Sequence, residues 1–96
     1  KGFQLKKIIV FSNKRLSLQS HQFRREHWIV IFGIAEVELE GENFTLNKGN
    51  HIDIPINAKH RLSNKGNTDL VLIETQFGNY LGEDDIIRYE DDFGRV

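Results

Sequence analysis

The chain contains no cysteine, which excludes disulfides, zinc ribbons and thiol chemistry and leaves any metal to histidine, carboxylate or amide ligands. No apolar run approaches the roughly 20 residues needed to span a bilayer, and the start Lys1-Gly2-Phe3-Gln4-Leu5-Lys6-Lys7 lacks the architecture of a signal peptide. No membrane partner is expected, and the cytoplasm is the expected location. Neither charge dominates: 13 Lys plus Arg against 14 Asp plus Glu give a net charge of -1, so nothing electrostatic calls for nucleic acid. There is also no methionine, hence no initiator, and the chain stops abruptly at Arg95-Val96. Residues 1–96 are expected to form one domain, a fragment or trimmed form of a longer chain, since 96 residues at 39% apolar content suffice for one compact core.

What is present is a series of short apolar segments separated by turn residues, the pattern of an all-β sandwich or closed barrel. Strands are expected at Phe3–Phe11, Leu16–His21, Glu26–Phe32, Ala35–Leu39, Phe44–Leu46, His51–Ile54, His60–Ser63 and Leu70–Phe77. Val37 and Leu39 alternate with Glu36, Glu38 and Glu40, the period-two signature of a half-buried strand. Gln22 to Arg25 is expected as a tight polar connection and Glu40 to Asn43 as a hairpin turn. After Gly78 an acidic tail, Gly82-Glu83-Asp84-Asp85-Ile86-Ile87-Arg88, has room for one short helix.

Gln19, His21, Glu26 and His60 are the candidate metal ligands. Two imidazoles, an amide oxygen and a carboxylate form a mixed donor set suited to a divalent first-row cation. Parity permits it. Gln19 and His21 lie two apart and share a face of one strand, while the Gln22–Arg25 turn restarts the count on an antiparallel neighbour that carries Glu26. From Glu26 the inward set runs Trp28, Val30, Phe32, an apolar wall beneath a polar rim. Ile29 and Ile31 face outward and suggest a second covering layer or, preferably, a homodimer.

These residues carry a resemblance. Gly49, Pro55, His60 and Asn64 fall at the spacing of the second cupin motif, and His21, Glu26 and Gly33 fit the first, with Gln19 where a histidine is more usual. The one proline sits at the motif's proline; Asn57 replaces its glycine, and Asn tolerates positive φ best after Gly. The chain therefore resembles a single cupin, a double-stranded β-helix or jelly-roll barrel. A narrower resemblance covers nearly the full length: Leu16-Ser17-Leu18-Gln19, Arg24-Arg25-Glu26-His27-Trp28, Ile54-Pro55, His60-Arg61-Leu62 and the tail Tyr80 to Arg95. These are similar to type II mannose-6-phosphate isomerases, including the C-terminal domain of bifunctional mannose-1-phosphate guanylyltransferase. The resemblance implies metal-dependent interconversion of mannose 6-phosphate and fructose 6-phosphate, feeding GDP-mannose and polysaccharide synthesis. The family commonly shows three histidines after the Gln-x pair; here they read His21-Gln22-Phe23.

An aldose–ketose isomerisation passes a proton between adjacent carbons through an enediol, so it needs a polarised carbonyl, a base and a cationic grip on phosphate. A metal on Gln19, His21, Glu26 and His60 would be the Lewis acid, zinc first, with manganese, cobalt, nickel or iron as other fits. Arg24 and Arg25 project from the turn at the rim as phosphate ligands, Arg24 being the family match, and Arg88 closes over the mouth. Lys59 and Arg61 flank His60 and face away from it. The base is expected among Glu83, Asp84 and Asp85 if the tail folds over the barrel. His27 faces the opposite side from Glu26, and Trp28 reads as core. The partner is a small phosphorylated hexose. Three classes stay open: an isomerase; the cupin part of a bifunctional enzyme whose nucleotidyltransferase lies outside this sequence; and a noncatalytic sugar-binding cupin, which Gln22 and Phe23 would suit.

Overall fold

Alternating apolar and polar side chains fold as expected into strands that each show one face to an interior. In the computed structural model, which describes residues 2–95, the strands are β1 Phe3–Val10, β2 Leu18–Ser20, β3 Arg24–Phe32, β4 Ala35–Leu39, β5 Glu42–Leu46, β6 His51–Ile54, β7 His60–Ser63, β8 Leu70–Gly78 and β9 Ile87–Glu90. The eight expected strands are present. The ninth comes from the acidic tail. There the short helix is replaced by a single turn, closed by Asp85 N–H donating to the Gly82 carbonyl at 3.2 Å, and the chain then runs extended because β2 offers it a free edge to pair with. The β4–β5 hairpin turns at Glu40 (φ 48°) and Gly41 (φ 82°), both left-handed as a type I′ turn requires. Asn57 takes φ 67° as expected, and its N–H donates to the His21 carbonyl at 2.7 Å.

Two antiparallel sheets face each other, one in the order β1-β8-β3-β6 and the other β5-β4-β7-β2-β9. The chain crosses from sheet to sheet between β2 and β3, again at Gly33 between β3 and β4, and at each later connection except the β4–β5 hairpin. This corrects one expectation: β3 is not the antiparallel neighbour of β2 but lies in the opposite sheet. Their inner faces still meet, now across the barrel.

The interior is divided lengthwise. On β3 the buried side chains run Arg24, Glu26, Trp28, Val30, and on β8 they run Leu70, Leu72, Glu74, Gln76. Antiparallel register sets Val30 opposite Leu72, Trp28 opposite Glu74 and Glu26 opposite Gln76, so apolar meets apolar at one end and polar meets polar at the other. Val10, Ala35, Val37, Leu46 and Leu62 complete the apolar core, and Ile54, opposite Glu26 on β6, carries it up to the polar end. Phe32 does not join the core. A bulge between Val30 and Phe32 inserts a residue, reverses the parity, and leaves Phe32 exposed. Leu72 is wholly buried, and Leu72→Ala is expected to cost about 2–5 kcal/mol, read from urea unfolding of the metal-free protein.

Outside the first sheet, Phe3, Leu5 and Ile9 on β1 are exposed beside Phe77 and Ile31. Among the described residues no second layer covers this face. Among the described residues no helix is long and apolar enough to cross a membrane.

Candidate metal centre

Three candidate ligands converge at the polar end. His21 follows β2, His60 begins β7 beside it, and Glu26 reaches over from β3 in the facing sheet. One ligand atom from each of His21, Glu26 and His60 lies within 4.8 Å of the others. His21 Nε2 stands 3.1 Å from Glu26 Oε2 and His60 Nε2 stands 3.9 Å from Glu26 Oε1. All three side chains are buried.

Hydrogen bonds behind the rings decide which nitrogen faces the cluster. His21 Nδ1 is 2.6 Å from the Asp85 carbonyl and His60 Nδ1 is 2.9 Å from the Ala58 carbonyl. A carbonyl only accepts, so each Nδ1 carries the ring proton and each Nε2 turns a lone pair toward Glu26. Burial lowers the pKa of both imidazoles, that of His60 to about 4, so both are neutral at pH 7. Two lone pairs and a carboxylate converging at 3–4 Å are the donors that a divalent cation takes, and in the metal-free protein the Arg24 guanidinium, 2.9 Å from Glu26 Oε2, offsets their repulsion. The donor set therefore fits a divalent metal on its own chemistry.

Gln19 pairs directly with His60, which puts the two side chains on one face of the sheet. Its Nε2 donates to Ser17 Oγ at 2.9 Å, so the amide oxygen is the atom left to ligate.

Arg24 is not at the rim. The crossover takes up only residues 22 and 23, so β3 starts at Arg24 and parity carries it inward with Glu26 and Trp28. Its Nε donates to Glu26 Oε2 at 2.9 Å and its Nη2 lies 3.4 Å from His21 Nε2, while Nη1 has no partner. Arg25, one residue on, faces out with its guanidinium 5.3 Å from the centre of the Phe77 ring, away from the cluster. Arg88 on β9 pairs with Gln19 and so shares the inner face; its buried Nε also has no partner. The tail carboxylates are committed elsewhere. Glu83 is ion-paired with Lys6 and Asp84 accepts from the Tyr80 hydroxyl. Asp85 is buried, and its two oxygens accept the N–H groups of Gln22 at 2.8 Å and Phe23 at 3.0 Å. Arg61 turns away from His60 as expected and donates to Leu16 O and Glu90 Oε1, which fastens β9 to the sheet. His27 also faces out, 3.2 Å from His51.

Two residues here were not anticipated. Trp28 Nε1–H is shared by Glu26 Oε1 at 3.0 Å and Glu74 Oε1 at 3.1 Å, and Gln76 Nε2 donates to Glu74 Oε2 at 2.6 Å. Trp28 is thus core, as read, and also ties a ligand carboxylate to a second buried one. Burial, and next the negative charge of Glu26, raise the Glu74 pKa. The signal was available in β8, where the even positions change from Leu70 and Leu72 to Glu74 and Gln76.

The histidines give the metal-free protein a pH dependence. Below about pH 6.5 the unfolded chain protonates imidazoles that the fold keeps neutral, so stability falls as pH drops, until His60 itself titrates at about 4. For His60 the full difference is on the order of 3 kcal/mol. Glu74, with its raised pKa, acts in the opposite sense and is more stabilising when protonated. Urea unfolding across pH 4 to 6.5 isolates the histidine share as wild type minus His60→Ala, and the wild-type slope is expected to be the steeper.

Comparison with known proteins agrees with this architecture. The family model for the mannose-6-phosphate isomerase C-terminal domain matches residues 1–91. Xanthan biosynthesis protein XanB of Xanthomonas campestris is 50% identical over 98% of this chain and 20% of its own length. Mannose-1-phosphate guanylyltransferase ManC of Salmonella typhimurium is 46% identical, again over 98% and 20%. The chain thus spans about a fifth of the length of these relatives. Among solved structures, a Cupin 2 conserved barrel domain protein from Salinispora arenicola superposes with a TM-score of 0.75 at 18% identity, over 82% of this chain and 66% of that one, which shows the cupin fold. With the match running over nearly every residue and the ligand cluster inside it, the chain belongs to the mannose-6-phosphate isomerase C-terminal family.

Proposed function

We propose that this chain is the isomerase cupin of a bifunctional mannose-1-phosphate guanylyltransferase, acting in the cytoplasm to interconvert mannose 6-phosphate and fructose 6-phosphate. The observation that carries the reading is the pair of Nδ1 hydrogen bonds that aim His21 Nε2 and His60 Nε2 at Glu26. A divalent cation, zinc by preference, held by His21, Glu26 and His60 with Gln19 beside them, would polarise the sugar carbonyl as a Lewis acid. Everything else falls to the chain. Arg24 and Arg88, each with an unpartnered buried N–H, supply the cationic grip on an anionic substrate. Glu74, the second buried carboxylate, joined to Glu26 through Trp28 Nε1–H, would in its ionised form take a proton from one sugar carbon and return it to the next, burial and the charge of Glu26 making it the more basic.

The noncatalytic reading rested on Gln22 and Phe23. Both side chains are exposed, and it is their backbone N–H groups that Asp85 holds, so replacing histidine at these positions leaves the cluster intact. The test is a mannose 6-phosphate isomerase assay on protein stripped of metal by chelation and then reloaded. Turnover should vanish and return with the metal. Tight binding of metal and sugar phosphate without turnover would instead establish a binding protein.

A homodimer belongs to the same proposal, with the exposed apolar face of β1 packed on a second copy. Sedimentation equilibrium should find a dimer that Leu5→Glu dissociates; a wild-type monomer would exclude it.

A further inference from the structure

Among the described residues, three buried side-chain polar atoms lack a hydrogen-bond partner: Arg24 Nη1, Arg88 Nε and Gln76 Oε1. All three belong to side chains on the inner faces around the ligand cluster. Arg24 lies two residues before Glu26 on β3, Gln76 sits directly opposite Glu26 on β8, and Arg88 pairs with Gln19, which in turn pairs with His60. Two cationic donors and one neutral acceptor are the complement of a molecule that carries an anionic group and hydroxyls. Buried polar groups in folded proteins are otherwise almost always paired.

The Gln76 acceptor is fixed in direction. Its Nε2 donates to Glu74 Oε2 at 2.6 Å; with Glu74 ionised, as a base must be, a flipped amide would set its carbonyl against that carboxylate, oxygen to oxygen. Oε1 is therefore the free end, on a side chain with no solvent exposure. It can serve only something admitted to the barrel.

We propose that Gln76 is a specificity-determining residue whose Oε1 accepts a hydroxyl of the sugar beside the metal ligands, while Arg24 and Arg88 hold its anionic end. This rests on the isomerase reading and adds a residue that the motif spacings do not contain. A site built to pair with a hydroxyl rejects an analogue lacking it, because the buried acceptor is then left bare.

The test is a cycle on metal-loaded protein. Mannose 6-phosphate and its 2-, 3- and 4-deoxy analogues are titrated into wild type and Gln76→Leu, with metal affinity measured separately. One deoxy analogue should bind wild type about 10- to 100-fold more weakly than mannose 6-phosphate, and for that analogue alone Gln76→Leu should cause little further loss. Metal affinity should be unchanged. A change of fold would weaken all four ligands alike, so equal losses across the set overturn the proposal and leave the isomerase reading standing. Should the leucine variant not fold, Gln76→Met, closer in length, takes its place in the same cycle. Failure of wild type to bind mannose 6-phosphate at all overturns the isomerase reading and this inference with it.

Discussion

His60→Ala is expected to lower metal-dependent turnover by about 10³-fold or more, since a Lewis acid at the carbonyl contributes several kcal/mol to the transition state. The fold should survive the change. His60 is neutral and buried, its only polar tie behind the ring is the 2.9 Å bond to the Ala58 carbonyl, and its loss removes a group that destabilises the metal-free protein in acid. Glu26→Gln removes the same metal and does further damage. Among the described residues Glu26 carries the one carboxylate that Arg24 contacts, at 2.9 Å, with both side chains buried. Removing one partner of a buried pair strands the other charge, at a cost of about 3–5 kcal/mol. The two variants should thus agree in turnover and metal titration and part in urea unfolding, with Glu26→Gln much the less stable. Metal-dependent turnover that persists in His60→Ala would remove His60 from the ligand set.

The convergence of His21, Glu26 and His60 was legible because its signal is local and redundant. Two histidines, a carboxylate and the glycine, proline and asparagine that shape the turns occur at fixed intervals, and each interval constrains parity. The route to convergence was not legible. Nothing in Gln22-Phe23 says that the chain crosses to the opposite sheet there, because the device that allows so short a crossover is Asp85, 62 to 63 residues away. The same hidden contact misplaced Arg24. Counted as part of a turn it projects to the rim; counted as the first residue of β3 it must point inward with Glu26. Phe32 failed through a bulge, which alternation cannot register.

The polar floor around the ligands was missed for a different reason. Glu74 and Gln76 read singly suit a solvated face; the parity they share with Leu70 and Leu72 marks them as interior, but only the register that sets Gln76 opposite Glu26 and Glu74 opposite Trp28 places them beside the cluster. Register is a property of two distant strands, and neither strand's sequence states it. The acidic tail shows the converse. Its charge suggested a catalytic carboxylate; the one buried acid in it, Asp85, accepts from the backbone N–H groups of Gln22 and Phe23.

That use of Asp85 leads to the second large effect. Asp85→Ala is expected to destabilise the protein by about 3–5 kcal/mol, because two N–H groups that now donate to a buried carboxylate, at 2.8 and 3.0 Å, would lose their acceptor, and bonds to a charged group contribute about 1.5–3 kcal/mol each. The consequence reaches the metal. The carbonyl of the same residue fixes His21 Nδ1 at 2.6 Å, so carboxylate and carbonyl together lock the crossover and the ring that follows β2 into one geometry. Loosening a partner behind a ligand histidine typically lowers metal affinity by about 10- to 100-fold. Asp85→Asn, which keeps one acceptor oxygen, should fall between the alanine variant and wild type in both measurements. Urea unfolding of the metal-free proteins reads the first effect, and competitive zinc titration of each variant under native conditions reads the second. Lost stability with undiminished zinc affinity would show that Asp85 staples the tail to the barrel and does nothing for His21. A parallel decline of both quantities across the three proteins would establish that the acidic tail, and not the ligand strands alone, sets the aim of the imidazole.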